Sequence, residues 1–189
     1  MTLLRTAEPA VEPVTLTEIK EHLRVTHDSE DALIEGLIKA AREEVERSTS
    51  RALIDQSWRL ILDSWPKSRF VYLGRTPVVS ITSVSVFDED GNSTALSADH
   101  YLLDRSSVPA RLYFQNVPSP GRRINGIEID FDAGYGESGT DVPESLKRAI
   151  GILVSHWYEF RGAYGAKDQP VSIPDEFLRI IRNFRTPRL

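Results

Sequence analysis

The sequence predicts an α+β fold in which a small helical bundle, built from both ends of the chain, carries an inserted and mainly antiparallel β region. Three observations carry this. Apolar residues recur at helical spacing near both termini, and the period switches to two between residues 51 and 140. Neither helical half can bury its stripe alone, so the two halves are expected to pack together. The expected organisation is a bundle from residues 1–50 and 141–189, including a C-terminal tail, and an inserted β region over 51–140.

Residues 1–14, with Pro9 and Pro13, show little periodicity and read as an extended arm. Thr15 and Glu18 have the spacing of a capping box, which starts a first helix with Leu16, Ile19 and Leu23 on one face. A second helix follows, with Asp28 or Ser29 expected as its cap. Leu33, Ile34, Leu37, Ile38, Ala41 and Val45 form its stripe, and Glu35, Lys39, Arg42, Glu43, Glu46 and Arg47 read as its charged, intervening positions. The short polar hinge predicts a helical hairpin.

Strands are expected around Trp58–Leu62, Phe70–Leu73, Ile81–Phe87, Tyr101–Leu103, Arg111–Phe114 and Ile127–Phe131. Prolines 66, 77, 109, 118 and 120 fall between these runs, where strands should stop. The helical period returns after residues 134–139. Pro143 suits the first turn of a third helix with Leu146, Ala149, Ile150, Leu153, Val154, Trp157 and Phe160 on one face, ended by Gly162 and Gly165. A fourth, short helix starts at Pro174 or Asp175, with Phe177, Ile180, Ile181 and Phe184 as its apolar face.

Composition narrows the function classes. The chain has 189 residues, 40% hydrophobic and 27% charged, as an ordinary globular protein does. With no cysteine, disulfides, thiolate metal sites and cysteine nucleophiles are excluded, and a reducing compartment fits. No run approaches the roughly 18 apolar residues of a membrane span, so no membrane partner is expected. The N-terminus lacks a long apolar core behind a basic start, and no secretory signal is expected. The net charge of −5 argues against non-specific grip on duplex phosphates.

No catalytic, cofactor or metal site emerges. Gly136-Glu137-Ser138-Gly139-Thr140 departs from a nucleophile elbow because its last glycine comes one residue early. A flexible loop between strand and helix is the simpler reading. Asp88-Glu89-Asp90-Gly91-Asn92 begins like a calcium loop, but Ser97 stands where the bidentate glutamate belongs, so a hairpin turn is expected. His22, His27, His100 and His156 lack metal-binding spacing. Trp157, Tyr158 and Phe160 follow the third helix's stripe and read as core. At the C-terminus Arg179, Arg182, Arg185 and Arg188 recur every third residue among Phe177, Ile180, Ile181 and Phe184. A solvated basic helix face and a docking tail are the two readings of that series.

Four segments, in order, carry a resemblance. They are Pro13-Val14-Thr15-Leu16-Thr17-Glu18-Ile19-Lys20-Glu21-His22-Leu23-Arg24-Val25; Asp28-Ser29-Glu30-Asp31-Ala32-Leu33-Ile34; Phe131-Asp132-Ala133-Gly134-Tyr135-Gly136 before Val142-Pro143; and His156-Trp157-Tyr158-Glu159-Phe160-Arg161. Together they resemble the head–tail connector, or adaptor, proteins of tailed bacteriophages, a family with prophage and gene-transfer-particle members. The resemblance implies a non-enzymatic structural protein that assembles in the bacterial cytoplasm and ends in the particle neck. It implies a ring of 12 copies, a portal protein on one side, a stopper or tail-completion protein on the other, and DNA passing through unread. It also favours docking for the C-terminal segment, which makes Arg179, Arg182, Phe184, Arg185, Pro187, Arg188 and Leu189 the expected portal-binding residues. Two rivals remain: a small enzyme with its site in the β region, and a nucleic-acid-binding module using the C-terminal arginines.

Overall fold

A computed structural model describes residues 1–160 and 173–185. The chain divides into two units, a β unit of residues 1–10 and 55–135 and a helical unit of residues 11–54 and 136–189.

In the β unit, strands β1 (Thr2–Ala7), β2 (Gln56–Leu62), β4 (Val78–Phe87), β5 (Ser93–Ala95) and β8 (Ile127–Ala133) form one sheet in the order β1-β2-β8-β4-β5. Strands β3 (Phe70–Tyr72), β6 (Tyr101–Asp104) and β7 (Arg111–Phe114) form a second, in the order β3-β7-β6. Every pairing is antiparallel. Alternation in β2 and β8 puts Trp58, Leu60, Leu62, Ile127, Ile129 and Phe131 into the core. From the second sheet Val71, Leu112 and Phe114 are buried as well. The Asp88–Asn92 segment is the expected turn: Gly91 adopts φ +90°, and the Asp88 carboxylate accepts the Asn92 backbone N–H at 2.8 Å.

The supposed N-terminal arm is a correction. Residues 2–7 are an edge strand whose backbone pairs with β2, Leu3 opposite Leu60 and Arg5 opposite Trp58. The paired residues lie fifty or more positions downstream, so local periodicity carried little signal.

The other face of the five-stranded sheet is polar and cross-linked. Arg59 holds Asp130 through two hydrogen bonds of 2.7 and 2.9 Å and Glu128 at 3.0 Å. Asp132 accepts from Ser57, Ser80 and Thr82. The Arg59 guanidinium holds the Asp130 carboxyl below its usual range; partial burial opposes this and the Ser83 hydroxyl adds to it. A carboxyl depressed in the folded state stabilises fully above its unfolded value, near 3.8, and loses that contribution as pH falls through the folded value. Asp130→Asn is therefore expected to be less stable than wild type at pH 7, with a smaller loss of stability below pH ~4. Denaturant melts across that range check this; parallel curves would refute it.

The helical unit contains α1 (Leu16–Leu23), α2 (Asp31–Thr49), α3 (Glu144–Glu159) and α4 (Asp175–Arg182). Thr15 and Glu18 form the expected capping box, the Glu18 carboxylate accepting the Thr15 N–H at 2.6 Å. The hinge is pinned by Lys20, whose Nζ lies 2.6 Å from both Asp28 and Asp31. Glu30, without a side-chain cap bond, occupies the position expected for Asp28 or Ser29. Ile19, Ile34, Ile38, Ala41, Val45, Leu146, Ala149, Ile150, Leu153, Val154, Phe177 and Ile181 make the core. Leu33, in contrast, is 42% exposed. Pro143 sits just before α3 rather than inside it. Gly162 and Gly165 lie outside the described residues; α3 itself ends at Glu159.

Two charged positions of α2 are not solvated. Arg42 and Glu46 are buried in the helical unit and paired with each other.

Candidate docking segment

The residues expected to dock lie on and beyond α4. Pro174 precedes the first turn, where its missing N–H costs nothing. Phe177 and Ile181, one turn apart, are fully buried and fix the helix against α2 and α3. That phase turns Arg179 and Arg182 outward, beside Leu178, which is 39% exposed. The Arg179 guanidinium stays 3.9 Å from Glu176, whose carboxylate is already held by Arg148 at 2.6 Å. Arg182 and Arg185 are exposed and form no ion pair with a described residue.

Phe184 belongs partly to the fold. It is half-buried, the Arg51 guanidinium lies 5.4 Å from its ring centroid, and Arg51 Nε donates to its carbonyl at 3.2 Å. The amphipathic end therefore has a surface to bury against within the helical unit. Arg185 borders a concavity with Glu44, Arg47, Ser48 and Ser50. Pro187, Arg188 and Leu189 lie outside the described residues.

The other sequence candidates resolve into local roles. Ser138 caps a turn: its hydroxyl accepts the Thr140 N–H and its N–H donates to Asp141. Gly139 is required because a Cβ there would meet the Pro13 carbonyl oxygen at 2.5 Å. His27 lies against Ser29 and Glu30, His100 against the Gln115 carbonyl, and His156 against Phe160. Among the described residues no group of three or more His, Cys, Asp or Glu is placed to hold a metal. In the groove lined by α1 and α3, Glu18 is engaged by Thr15, Glu144 by Lys147 and Glu176 by Arg148. Among the described residues no helix is long and apolar enough to cross a membrane.

The aromatic end of α3 corrects the sequence reading. Burial stops at Val154; Trp157 is half-buried, Tyr158 donates its hydroxyl to Glu30, and Phe160 is 41% exposed. The feature that sequence reasoning missed is the Arg42–Glu46 pair, an i,i+4 spacing that equally suits a solvated face.

The fold class is a helical unit with an outward arginine row on its last described helix, joined to an antiparallel β unit. The chain belongs to the head completion protein family, whose model matches residues 12–185. Over its whole length it is similar to a chain in the neck of an empty gene transfer agent particle, computed with C6 symmetry; identity is 27%, 97% of that chain is covered, and the TM-score is 0.83. The same identity, coverage and TM-score relate it to a chain of the native gene transfer agent virion. A chain from the neck of the native particle, computed with C12 symmetry, aligns with a TM-score of 0.79 at 27% identity, covering all of this chain and 97% of that one. No curated protein matches.

Proposed function

We propose that this chain is a head–tail adaptor of a phage or phage-like particle. It docks on the portal ring of the head, joins that ring to a stopper or tail-completion protein, and leaves a channel for DNA. The observation that carries the reading is the family match over residues 12–185, reinforced by whole-length similarity to neck chains. A ring of 12 copies is consistent with the C12 symmetry applied to one of those necks. Its mechanism is assembly by buried area and register, without bond chemistry. The net charge of −5 suits a channel through which DNA slides without sticking. Assembly takes place in the bacterial cytoplasm and the protein then stays in the particle neck.

The test is a particle preparation from cells lacking the chain. Filled heads that retain portal but carry neither this chain nor tails are expected, and tails should return on adding purified protein. Normal tailed particles without the chain would end the adaptor reading.

The arginine segment is the proposed portal contact. Arg182 and Arg185 are exposed, and charge-assisted bonds to portal carboxylates or carbonyls would use them. Because Phe184 is anchored by Arg51, a clean deletion begins at residue 186. Removing residues 186–189 should leave thermal unfolding unchanged and lower connector occupancy on heads. Arg182→Glu with Arg185→Glu should weaken docking by roughly 10–100-fold, more than the double alanine, because reversal adds repulsion to lost pairing. Equal occupancy for all of these would move docking to another surface.

A further inference from the structure

Among the described residues, one face of the β3-β7-β6 sheet is open at Tyr72 and Leu102 and half-buried at Phe70, Tyr113, Arg111 and Asp104. Val71, Leu112 and Phe114 turn inward, and register sets two outward rows, Phe70–Tyr113–Leu102 and Tyr72–Arg111–Asp104. The first row is apolar: the Phe70 and Tyr113 ring centroids are 5.0 Å apart and Leu102 is 62% exposed. The second is internally satisfied. Arg111 Nε donates to Asp104 at 2.9 Å, and its guanidinium lies 4.8 Å from the Phe70 centroid. Asp104 also accepts the Ser106 and Ser107 backbone N–H groups. The platform is thus ordered before a partner arrives, and it has the aromatic and arginine composition enriched where proteins meet.

Its surroundings carry unbalanced positive charge. Lys67, Arg69 and Arg105 are exposed and form no ion pair with a described residue. Arg69 is fixed in the left-handed region at φ 60°, its N–H bonded to Pro66 and its carbonyl accepting from Phe114. The opposite charge stands elsewhere in the same unit, at the exposed Asp88-Glu89-Asp90 turn between β4 and β5. Asp88 is held by Asn92, and Glu89 and Asp90 form no ion pair with a described residue. The nearby Arg122 guanidinium packs 5.3 Å from the Phe87 ring centroid.

We propose that this partly open face with its basic rim receives the acidic β4–β5 turn of a second copy of this chain, the contact repeated around the neck ring. This rests on the adaptor reading. A cyclic ring joins copies head to tail through two different patches, which this pair supplies and a self-complementary patch does not. The C12 symmetry of a similar neck makes a second copy the occupant to test first. The Asp104 carboxylate within the platform disfavours nucleic-acid phosphate.

The test is charge reversal and rescue in assembled particles. Arg69→Glu with Arg105→Glu, and separately Glu89→Arg with Asp90→Arg, should each lower the number of copies per neck about tenfold or more, with thermal unfolding preserved. Combining all four should restore incorporation to within about threefold of wild type. Because the chain has no cysteine, Leu102→Cys with Asp90→Cys should also give an oxidised ladder in purified necks, and neither single variant should. Normal incorporation of both reversed forms, or failure of the folded combination to recover, overturns the proposal. So does salt-sensitive binding of a single-stranded DNA 20-mer by wild type that the Arg69 and Arg105 reversals abolish. Failure of the adaptor reading looks different: wild-type chain absent from purified necks.

Discussion

Leu153→Asp is expected to abolish cooperative unfolding of the helical unit. Leu153 is 1% exposed, in the middle of α3, on the stripe that runs through Leu146, Ala149 and Ile150 and packs on α2. The buried positions of α3 itself carry no basic side chain. A buried, unpaired charge costs several kcal/mol even after the group protonates to escape it. Whole-domain stability is only about 5–15 kcal/mol, so the substitution removes most of it. Leu153→Ala should be folded and about 2–5 kcal/mol less stable. The matching change in α2, Leu37→Asp, should cost much less, because Leu37 is only half-buried and a carboxylate there can reach water. From the apolar pattern alone the two positions look equivalent. Thermal unfolding by far-ultraviolet circular dichroism separates them, and a wild-type melt for Leu153→Asp would sink the assignment of α3 to the core.

The difference between those leucines shows where the sequence was legible. Helical spacing in α2 and α3 is strong because many positions repeat it, so element type and core-facing phase survive errors at individual residues. The alternation of Ile127, Ile129 and Phe131 is equally legible, since β8 is central in its sheet and one face is wholly buried. Edge strands gave less. Ser93–Ala95 is fully exposed and three residues long, and Thr2–Ala7 buries no residue completely, so neither has a periodic requirement to display. At the C-terminus, the spacing of Phe177 and Ile181 announced a packed helix. The hold of Arg51 on Phe184 joins residues 133 positions apart, and no local pattern encodes it. The charged rim around the β3-β7-β6 face was illegible for the same reason. Arg69, before β3, and Arg105, after β6, border the same face only because β7 pairs with both strands.

Arg42→Ala should destabilise the helical unit by about 3–5 kcal/mol, an effect a sequence reading would have placed on a solvated face. The side chain is fully buried. Its Nε donates to Glu12 at 2.7 Å and its Nη1 to Glu46 at 3.0 Å. Glu46 in turn accepts the Leu53 backbone N–H at 2.9 Å. One cation thereby ties the segment before α1, α2 itself and the segment after α2. Burial works against the Arg42 charge, but the Glu12 hydrogen bond and the Glu46, Glu12 and Glu43 charges outweigh it, and its pKa is raised. Removing the guanidinium takes the Arg42 contact from the Glu46 carboxylate, which is only 4% exposed. Arg42→Met with Glu46→Gln should recover more than half of the loss at pH 7, because neither position then buries a charge and the amide oxygen still accepts from Leu53. Glu12, partly exposed, can return to water. Arg42→Lys should not recover as much, because an ammonium lacks the planar fork that reaches both carboxylates. Urea melts of the variants decide between a structural ion cluster and a dispensable one. If Arg42→Ala stays within about 1 kcal/mol of wild type, the cluster contributes no more than a surface pair would.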